Sequence, residues 1–139
     1  MRRHQQQKVN IEDDDTLALV QIDSKLILQV LFNLVDNALK HAESRSKIIL
    51  RVNEQRSQIL FEMIDDGRGI PDEERDLIFN PYYSGDYFKD NKKYSLGLGL
   101  YLVQLILKQH GSQLKYRPNH PQGSIFYFYL DITQIEMEG

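Results

Sequence analysis

The run Ser124-Ile125-Phe126-Tyr127-Phe128-Tyr129-Leu130-Asp131-Ile132 limits what this chain can fold into more than any other stretch. Its β-branched and aromatic residues favour a strand, and it is far shorter than the roughly 20 residues a membrane-spanning helix requires. Side chains alternate across a strand, so Ile125, Tyr127 and Tyr129 fall on one face and Phe126, Phe128 and Leu130 on the other. Both faces are bulky, as expected of a strand covered on both sides. Such a strand needs partner strands and a further layer packed on it. With 139 residues, 41 % of them hydrophobic and 27 % charged, the chain can build one domain with a sizeable core.

The remaining elements follow from periodicity and turn residues. Gln113 to Tyr116, separated from the closing strand by Pro118-Asn119-His120-Pro121-Gln122-Gly123, predicts a hairpin. Lys47 to Val52 and Ile59 to Ile64 predict a second hairpin with a longer loop, Asn53 to Gln58. Val9, Ile11, Leu17, Leu19 and Ile22, interrupted by Glu12-Asp13-Asp14-Asp15, predict two short strands. Asp23-Ser24 offers an N-cap for a helix over Leu26 to Leu39, with Leu28, Leu31, Phe32, Val35, Ala38 and Leu39 as one broad buried stripe. Pro71-Asp72-Glu73-Glu74 reads as the first turn of a short helix. Leu98 to Gln109 predicts a second long helix, stopped by His110-Gly111. Phe79 to Ser95 has no clear period and reads as a long functional loop. The sum is an α+β, two-layer sandwich with helices on one face of a mixed, mostly antiparallel sheet. The domain is expected over 9–132, after a linker or disordered start at 1–8 and before a C-terminal tail at 133–139.

Composition removes several function classes. There are no cysteines, which excludes disulfides, thiolate metal sites and a cysteine nucleophile. A net charge of −3 gives no reason to expect nucleic-acid binding. Met1-Arg2-Arg3-His4-Gln5-Gln6-Gln7 has no apolar stretch behind its arginines and does not read as a secretory signal, so a cytoplasmic domain is expected.

Three constellations carry chemistry. On the first helix, Asn33, Asn37, Lys40 and His41 stand at i, i+4, i+7 and i+8, on one side. Amide oxygens in such a row suit a hard cation, and the ammonium suits phosphate. Asparagine is a poor helix former, so two of them inside a helix call for a reason besides solvation of a polar face. The second constellation, Asp65-Asp66-Gly67-Arg68-Gly69-Ile70, breaks directly out of a strand. A carboxylate at the strand end can accept hydrogen bonds from a ligand amine, and the glycines admit a flat ring close to backbone; an ordinary Asp-Gly turn explains the same residues equally well. The third, Leu96-Gly97-Leu98-Gly99-Leu100, opens the second long helix, where free amides can hold an anion. It is neither the dinucleotide fingerprint nor a P-loop.

Taken together, in this order and spacing, the three resemble the catalytic, ATP-binding domain of bacterial two-component sensor histidine kinases. That domain belongs to the superfamily shared with DNA gyrase, MutL and the heat-shock chaperone ATPases. Asn33 to His41 is similar to the family's asparagine box, Asp65 to Gly69 to its first glycine box, and Gly97 to Leu100 to the core of its second. Phe79-Asn80-Pro81-Tyr82-Tyr83 is similar to its phenylalanine box. The spacing resembles potassium-responsive sensor kinases as well as several others. The resemblance implies a Bergerat-type fold binding ATP and Mg²⁺. It implies that Asp65 takes the adenine amine, with Ser124 supporting a water there, and that Gly67, Gly69 and Ile70 line the base. Asn37 and Asn33 are implied as Mg²⁺ ligands, and Lys40 and His41 as neighbours of the phosphates. Gly97, Leu98, Gly99 and Leu100 are implied as the phosphate-binding helix start, under a lid over 79–95 with Lys89, Lys92 or Lys93 reaching the γ-phosphate. Ser95 and Leu96 depart from the family's glycine pattern.

The first helix also bears on reaction type. Hydrolytic members of the superfamily carry a glutamate four residues before the metal-binding asparagine as general base. Here that position is Asn33, without useful basicity, and Asp36 is expected on a different face. A kinase reading follows, with no residue of this chain assigned a certain catalytic role and with Asn33 and Lys40 in support. The family's phosphorylated histidine sits on a separate dimerisation domain, and none of His4, His41, His110 and His120 has that setting. The expected partners are therefore that phosphoacceptor domain and, downstream, a response regulator. The full-length protein is expected to be anchored in the cell membrane. A degenerate nucleotide sensor or interaction module, and an ATPase, are the alternatives.

Overall fold

The fold is described from a computed structural model of the chain, over residues 9–13, 24–41, 46–81 and 99–131. Strand β1 (Val9–Asp13) precedes helix α1 (Ser24–His41), the hairpin β2 (Ile48–Gln55) and β3 (Gln58–Asp65), and a 3₁₀ turn (Asp72–Glu74). Helix α2 (Gly99–Gln109), β4 (Lys115–Pro118) and β5 (Ser124–Asp131) complete it. The five strands form one sheet in the order β1-β2-β3-β5-β4. Only β1 and β2 are parallel, and α1 lies on the crossover that parallel neighbours require. The other neighbours pair antiparallel, so the expected mixed, mostly antiparallel sheet and α+β sandwich are observed.

The core lies between the sheet and the helices. Ile48, Leu50 and Val52, then Met63, Phe61 and Ile59, then Phe126, Phe128 and Leu130 share one sheet face through the strand register. Phe61 and Phe128, paired across β3 and β5, stack with ring centroids 4.8 Å apart. From α1, Ile27, Val30, Leu34 and Ala38 reach this layer, and from α2, Leu100, Val103 and Leu107. The two helices pack against each other. Helix α2 ends in a Schellman arrangement: the N–H of Gly111 donates to Lys108 O at 3.1 Å and that of Ser112 to Leu107 O at 2.8 Å. Gln104 then ties α2 to the approach of β4, accepting from Leu114 N at 2.7 Å and donating to Leu114 O at 3.2 Å.

Several expectations are corrected. The row of α1 that faces the sheet is Ile27-Val30-Leu34-Ala38, whereas Leu28 and Phe32 are 64 % and 68 % exposed. Helix α1 is apolar on more than one side, and period alone does not choose between adjacent rows. Ser24 lies within α1 rather than before it. The loop of the central hairpin is the turn Arg56-Ser57, with Arg56 at φ 53°; pairing continues through Glu54↔Ile59 and Gln55↔Gln58. Those polar residues are strand because a register set by the buried face carries the ladder outward. The outer face of β5 is only half covered, with Tyr127 and Tyr129 intermediate in exposure; the described helices cover the other face alone. There the aromatic rings pack on each other and under Arg117, which lies 5.2 Å from the Tyr127 ring centre. The strand expected over Leu17 to Ile22 and most of the loop at 79–95 lie outside the described residues.

Candidate functional site

The last residue of β3 sits opposite Ile48 on one side and Ser124 on the other. Asp65 is 7 % exposed and Ser124 1 %. The Asp65 carboxylate accepts the N–H of Gly67 at 2.9 Å and is also bonded by the backbone of Ser124. Burial pushes its pKa above the ordinary 3.8 in spite of these two bonds, and the adjacent charge of Asp66 adds to the rise. A buried carboxylate whose charge is costly is a ready acceptor for a donor brought by a ligand. Asp66 faces the other way, accepting the N–H of Lys47 at 2.7 Å, and so pins the break in the chain to the start of β2.

The β4–β5 connection closes on this strand end. Asn119 Nδ2 donates to Asp65 O at 2.9 Å and Gln122 Nε2 to Asp66 O at 3.1 Å. Gly123, at φ 115°, runs so close that an added Cβ would lie 2.0 Å from Asp65 O. Gly69, at φ 76°, would meet Gly123 O at 3.1 Å in the same way. Two glycine backbones in contact are what bring Ser124 to Asp65. Read only as a turn, 118–123 does not single out Gly123, Asn119 and Gln122 in the sequence. The glycine directly before Ser124 is the feature that points to a close backbone approach.

On α1, Asn33, Asn37 and Lys40 are half-buried. Gln29, one turn earlier, donates to Asn33 Oδ1 at 3.2 Å and orients that amide. Lys40 Nζ lies 3.0 Å from Asp36 Oδ2. Asp36, expected on a different face, therefore neutralises part of the charge assigned to phosphate binding, because i and i+4 are neighbours on a helix. At the start of α2, Gly99 is exposed, and among the described residues outside its chain neighbours and its own helix no atom lies within 4 Å of an added Cβ. Leu100 is 3 % exposed, so its side chain belongs to the core and only its backbone is available to a ligand. Gly67 is buried, Gly69 half-buried and Ile70 buried, beside Asp65. The His41 side chain, Lys89, Lys92, Lys93, Ser95, Leu96, Gly97 and Leu98 lie outside the described residues.

Among the described residues no three His, Asp or Glu side chains converge as a metal site. On α1 the amide oxygens of Asn33 and Asn37 are groups that could help hold a hard cation such as Mg²⁺.

The family model for histidine kinase-, DNA gyrase B- and HSP90-like ATPases matches residues 22–134. The chain belongs to this family. Sensor protein KdpD of Clostridium acetobutylicum is 32 % identical over 122 residues, 87 % of this chain and 13 % of KdpD. Alginate biosynthesis sensor protein KinB of Pseudomonas aeruginosa is 33 % identical over 124 residues, 89 % of this chain and 20 % of KinB. The chain thus spans a small fraction of the length of these relatives. The nucleotide-free catalytic domain of histidine kinase ThkA superposes with a TM-score of 0.79 at 26 % identity, covering 94 % of this chain and 82 % of that one. The resemblance read from the motifs holds: this is a histidine-kinase-type ATPase domain of two-component systems. No helix among the described residues is long and apolar enough to cross a membrane.

Proposed function

We propose that this domain, over 9–132, binds MgATP and donates the γ-phosphoryl group to a histidine on a separate dimerisation and phosphoacceptor domain of the same kinase. The observation that supports this best is the Asp65 carboxylate, buried at a strand end between Gly67 and Ser124. Such a group discriminates strongly for a ligand that brings an N–H donor, here the adenine amine, because an unmatched buried acceptor is costly. Ser124 supports a water at the same edge, and Gly67, Gly69 and Ile70 form the platform under the base. Asn37 and Asn33 would hold Mg²⁺, which supplies charge neutralisation along the phosphates. Lys40 and the α2 amides at Gly99 and Leu100 add to it, as do His41, Gly97, Leu98 and one of Lys92 or Lys93.

Phosphoryl transfer asks mainly for positioning and electrostatics. The acceptor imidazole is its own nucleophile, and ADP leaves as the bond to the γ-phosphorus forms. Asn33 offers no base to activate water, which favours transfer over hydrolysis. By itself this domain would phosphorylate nothing in cis, because none of its four histidines has the setting of the acceptor. A response regulator would take the phosphoryl group downstream, a role that fits the solved complex of ThkA with response regulator protein TrrA. The full-length protein would be anchored in the cell membrane.

Titration calorimetry of ATP with Mg²⁺ and then with EDTA, on the wild type and on Asp65→Asn, tests the site. Metal-assisted binding that Asp65→Asn removes is the expected result; transfer of ³²P to a supplied acceptor domain then tests the kinase step. No binding at millimolar ATP would sink the reading and favour a degenerate module, with Ser95-Leu96 as the cause. Steady phosphate release without acceptor would favour an ATPase.

A further inference from the structure

Ile70 leaves the Gly67–Ile70 turn with its side chain in the core, 4 % exposed, and with both polar groups of its backbone held by side chains from elsewhere. Its N–H donates to Tyr116 Oη on β4 at 3.4 Å, across 46 residues of sequence. Its C=O accepts from Arg75 Nε at 3.3 Å, just beyond the 3₁₀ turn. Arg75 is itself fixed twice. Its guanidinium lies 2.7 Å from Asp72 Oδ1 and sits over the Tyr116 ring, 5.5 Å from the centroid. The Tyr116 ring in turn leans on Phe126, with centroids 5.3 Å apart at 58°. Neither Arg75 nor Tyr116 is a candidate contact for nucleotide, yet both converge on the backbone of one residue next to Gly69.

A turn with glycines at 67 and 69 is soft by itself, since glycine has the most backbone freedom to lose. A soft binding segment must be ordered when the ligand arrives, which weakens binding. Fixing the peptide groups on both sides of Ile70 removes that freedom beforehand. We infer that Tyr116 and Arg75 are positioning residues that hold the Gly67–Ile70 turn in the shape that receives the base end of the nucleotide. The inference rests on the proposed reading of Asp65 as the adenine acceptor. It carries a signature: a clamp at the base end affects ATP and ADP by the same factor, and leaves the Mg²⁺ dependence alone.

Calorimetry of ATP and of ADP on the wild type, Tyr116→Phe, Arg75→Met, the double variant and Asp65→Asn tests it. Tyr116→Phe keeps the ring that packs on Phe126 and loses only the hydroxyl, so the fold is retained. We expect each single variant to bind ATP and ADP alike about three- to tenfold more weakly, the worth of one hydrogen bond. The double variant should lose less than the product of the two, because both act through the backbone of one residue. With a supplied acceptor domain, KM for ATP should rise while kcat stays. Unchanged affinity in both single variants, while Asp65→Asn has lost binding, overturns the clamp. So does a loss confined to ATP, or a fall in Tm without a change in affinity. Asp65→Asn binding as tightly as the wild type would instead overturn the nucleotide reading itself, and the clamp with it.

Discussion

The two ends of the candidate site are built differently. At the Asp65 end the local bonds from Gly67 and Arg75 are joined by several from across the sheet: from Ser124 on β5, from Asn119 and Gln122 in the β4–β5 connection, and to Tyr116 on β4. On α1 two pairs run within the helix itself, Asn33 with Gln29 and Lys40 with Asp36, each one turn away. Tertiary contacts of the first kind make a rigid, partly desolvated acceptor. Local pairs of the second kind are individually weak and half-exposed, and they can re-form around a flexible phosphate chain. Under the proposed function, a rigid end for the base and an adjustable end for the phosphates would suit a ligand that loses its γ-phosphoryl group.

The sharpest way to break this contrast is Gly123→Ala. The added Cβ would stand 2.0 Å from Asp65 O, with the backbone at φ 115°. Backbone on both sides leaves nothing to move aside, so we expect a loss of more than about 3 kcal/mol in denaturant unfolding. A mild effect would mean the Asp65 end is far less rigid than its geometry implies.

Next in size is Asp65→Asn, which we expect to weaken ATP at least about a hundredfold, the loss of a charged hydrogen-bond acceptor in a buried site. It should also change stability in a defined direction. The folded protein holds the Asp65 proton more tightly than the unfolded chain does, because the folded pKa is raised above 3.8. The stabilising contribution of this group is therefore full below pH 3.8 and is lost as pH rises through the folded value. Asparagine does not titrate. The Tm of Asp65→Asn relative to wild type should thus climb as pH rises from 3.8 through the raised folded value. A difference that falls over this range would contradict the burial-driven shift.

How much of this could be read beforehand follows the same division. The central sheet, both long helices and the three glycine- and asparagine-bearing segments are patterns of neighbours along the chain, and periodicity exposes those. That Ser124 belongs to the same site as Asp65 follows only from the family resemblance, and their direct pairing across β3 and β5 only from the structure. Tyr116, Arg75 and Asn119 act through pairings that span from 5 to 54 residues, and nothing in their immediate sequence marks them. Gly123 is the intermediate case: its neighbour Ser124 drew notice, yet only the crossing of two backbones shows why glycine is needed. On α1 the misplacement of Leu28 and Phe32 has another origin. An apolar residue on a helix flank fits a buried stripe as well as an exposed ridge, and the sheet's position decides.

A smaller effect, on the opposite side of the sheet, checks that the site is separable from the rest. Glu62 is buried at 6 % exposure, with Arg117 Nη2 at 2.6 Å and Arg51 Nη1 at 3.9 Å. Arg117→Met leaves that carboxylate with its more distant partner and should cost about 1–3 kcal/mol. ATP affinity, measured by the same calorimetry, should not move, because Glu62 and Asp65 lie on opposite faces of β3. A parallel loss of affinity would show that the Asp65 end depends on the whole sheet rather than on the strand ends that clasp it.

The smallest predicted effect is the most informative about the α1 end. Asp36→Asn removes an i,i+4 pair with the acid N-terminal, the favourable order, and should cost no more than about 0.5 kcal/mol of stability. If the phosphate end is adjustable, Lys40 then loses a competitor rather than a support. MgATP should bind as before or up to about twofold tighter, with a steeper dependence on salt. Lys40→Ala should do the reverse and weaken ATP more than ADP, since its ammonium is assigned to phosphate charge. The opposite result for Asp36→Asn, a severalfold loss, would mean that the carboxylate aims Lys40 at the ligand. In that case the α1 end is as preorganised as the Asp65 end, by a pair within one helix instead of contacts across the sheet.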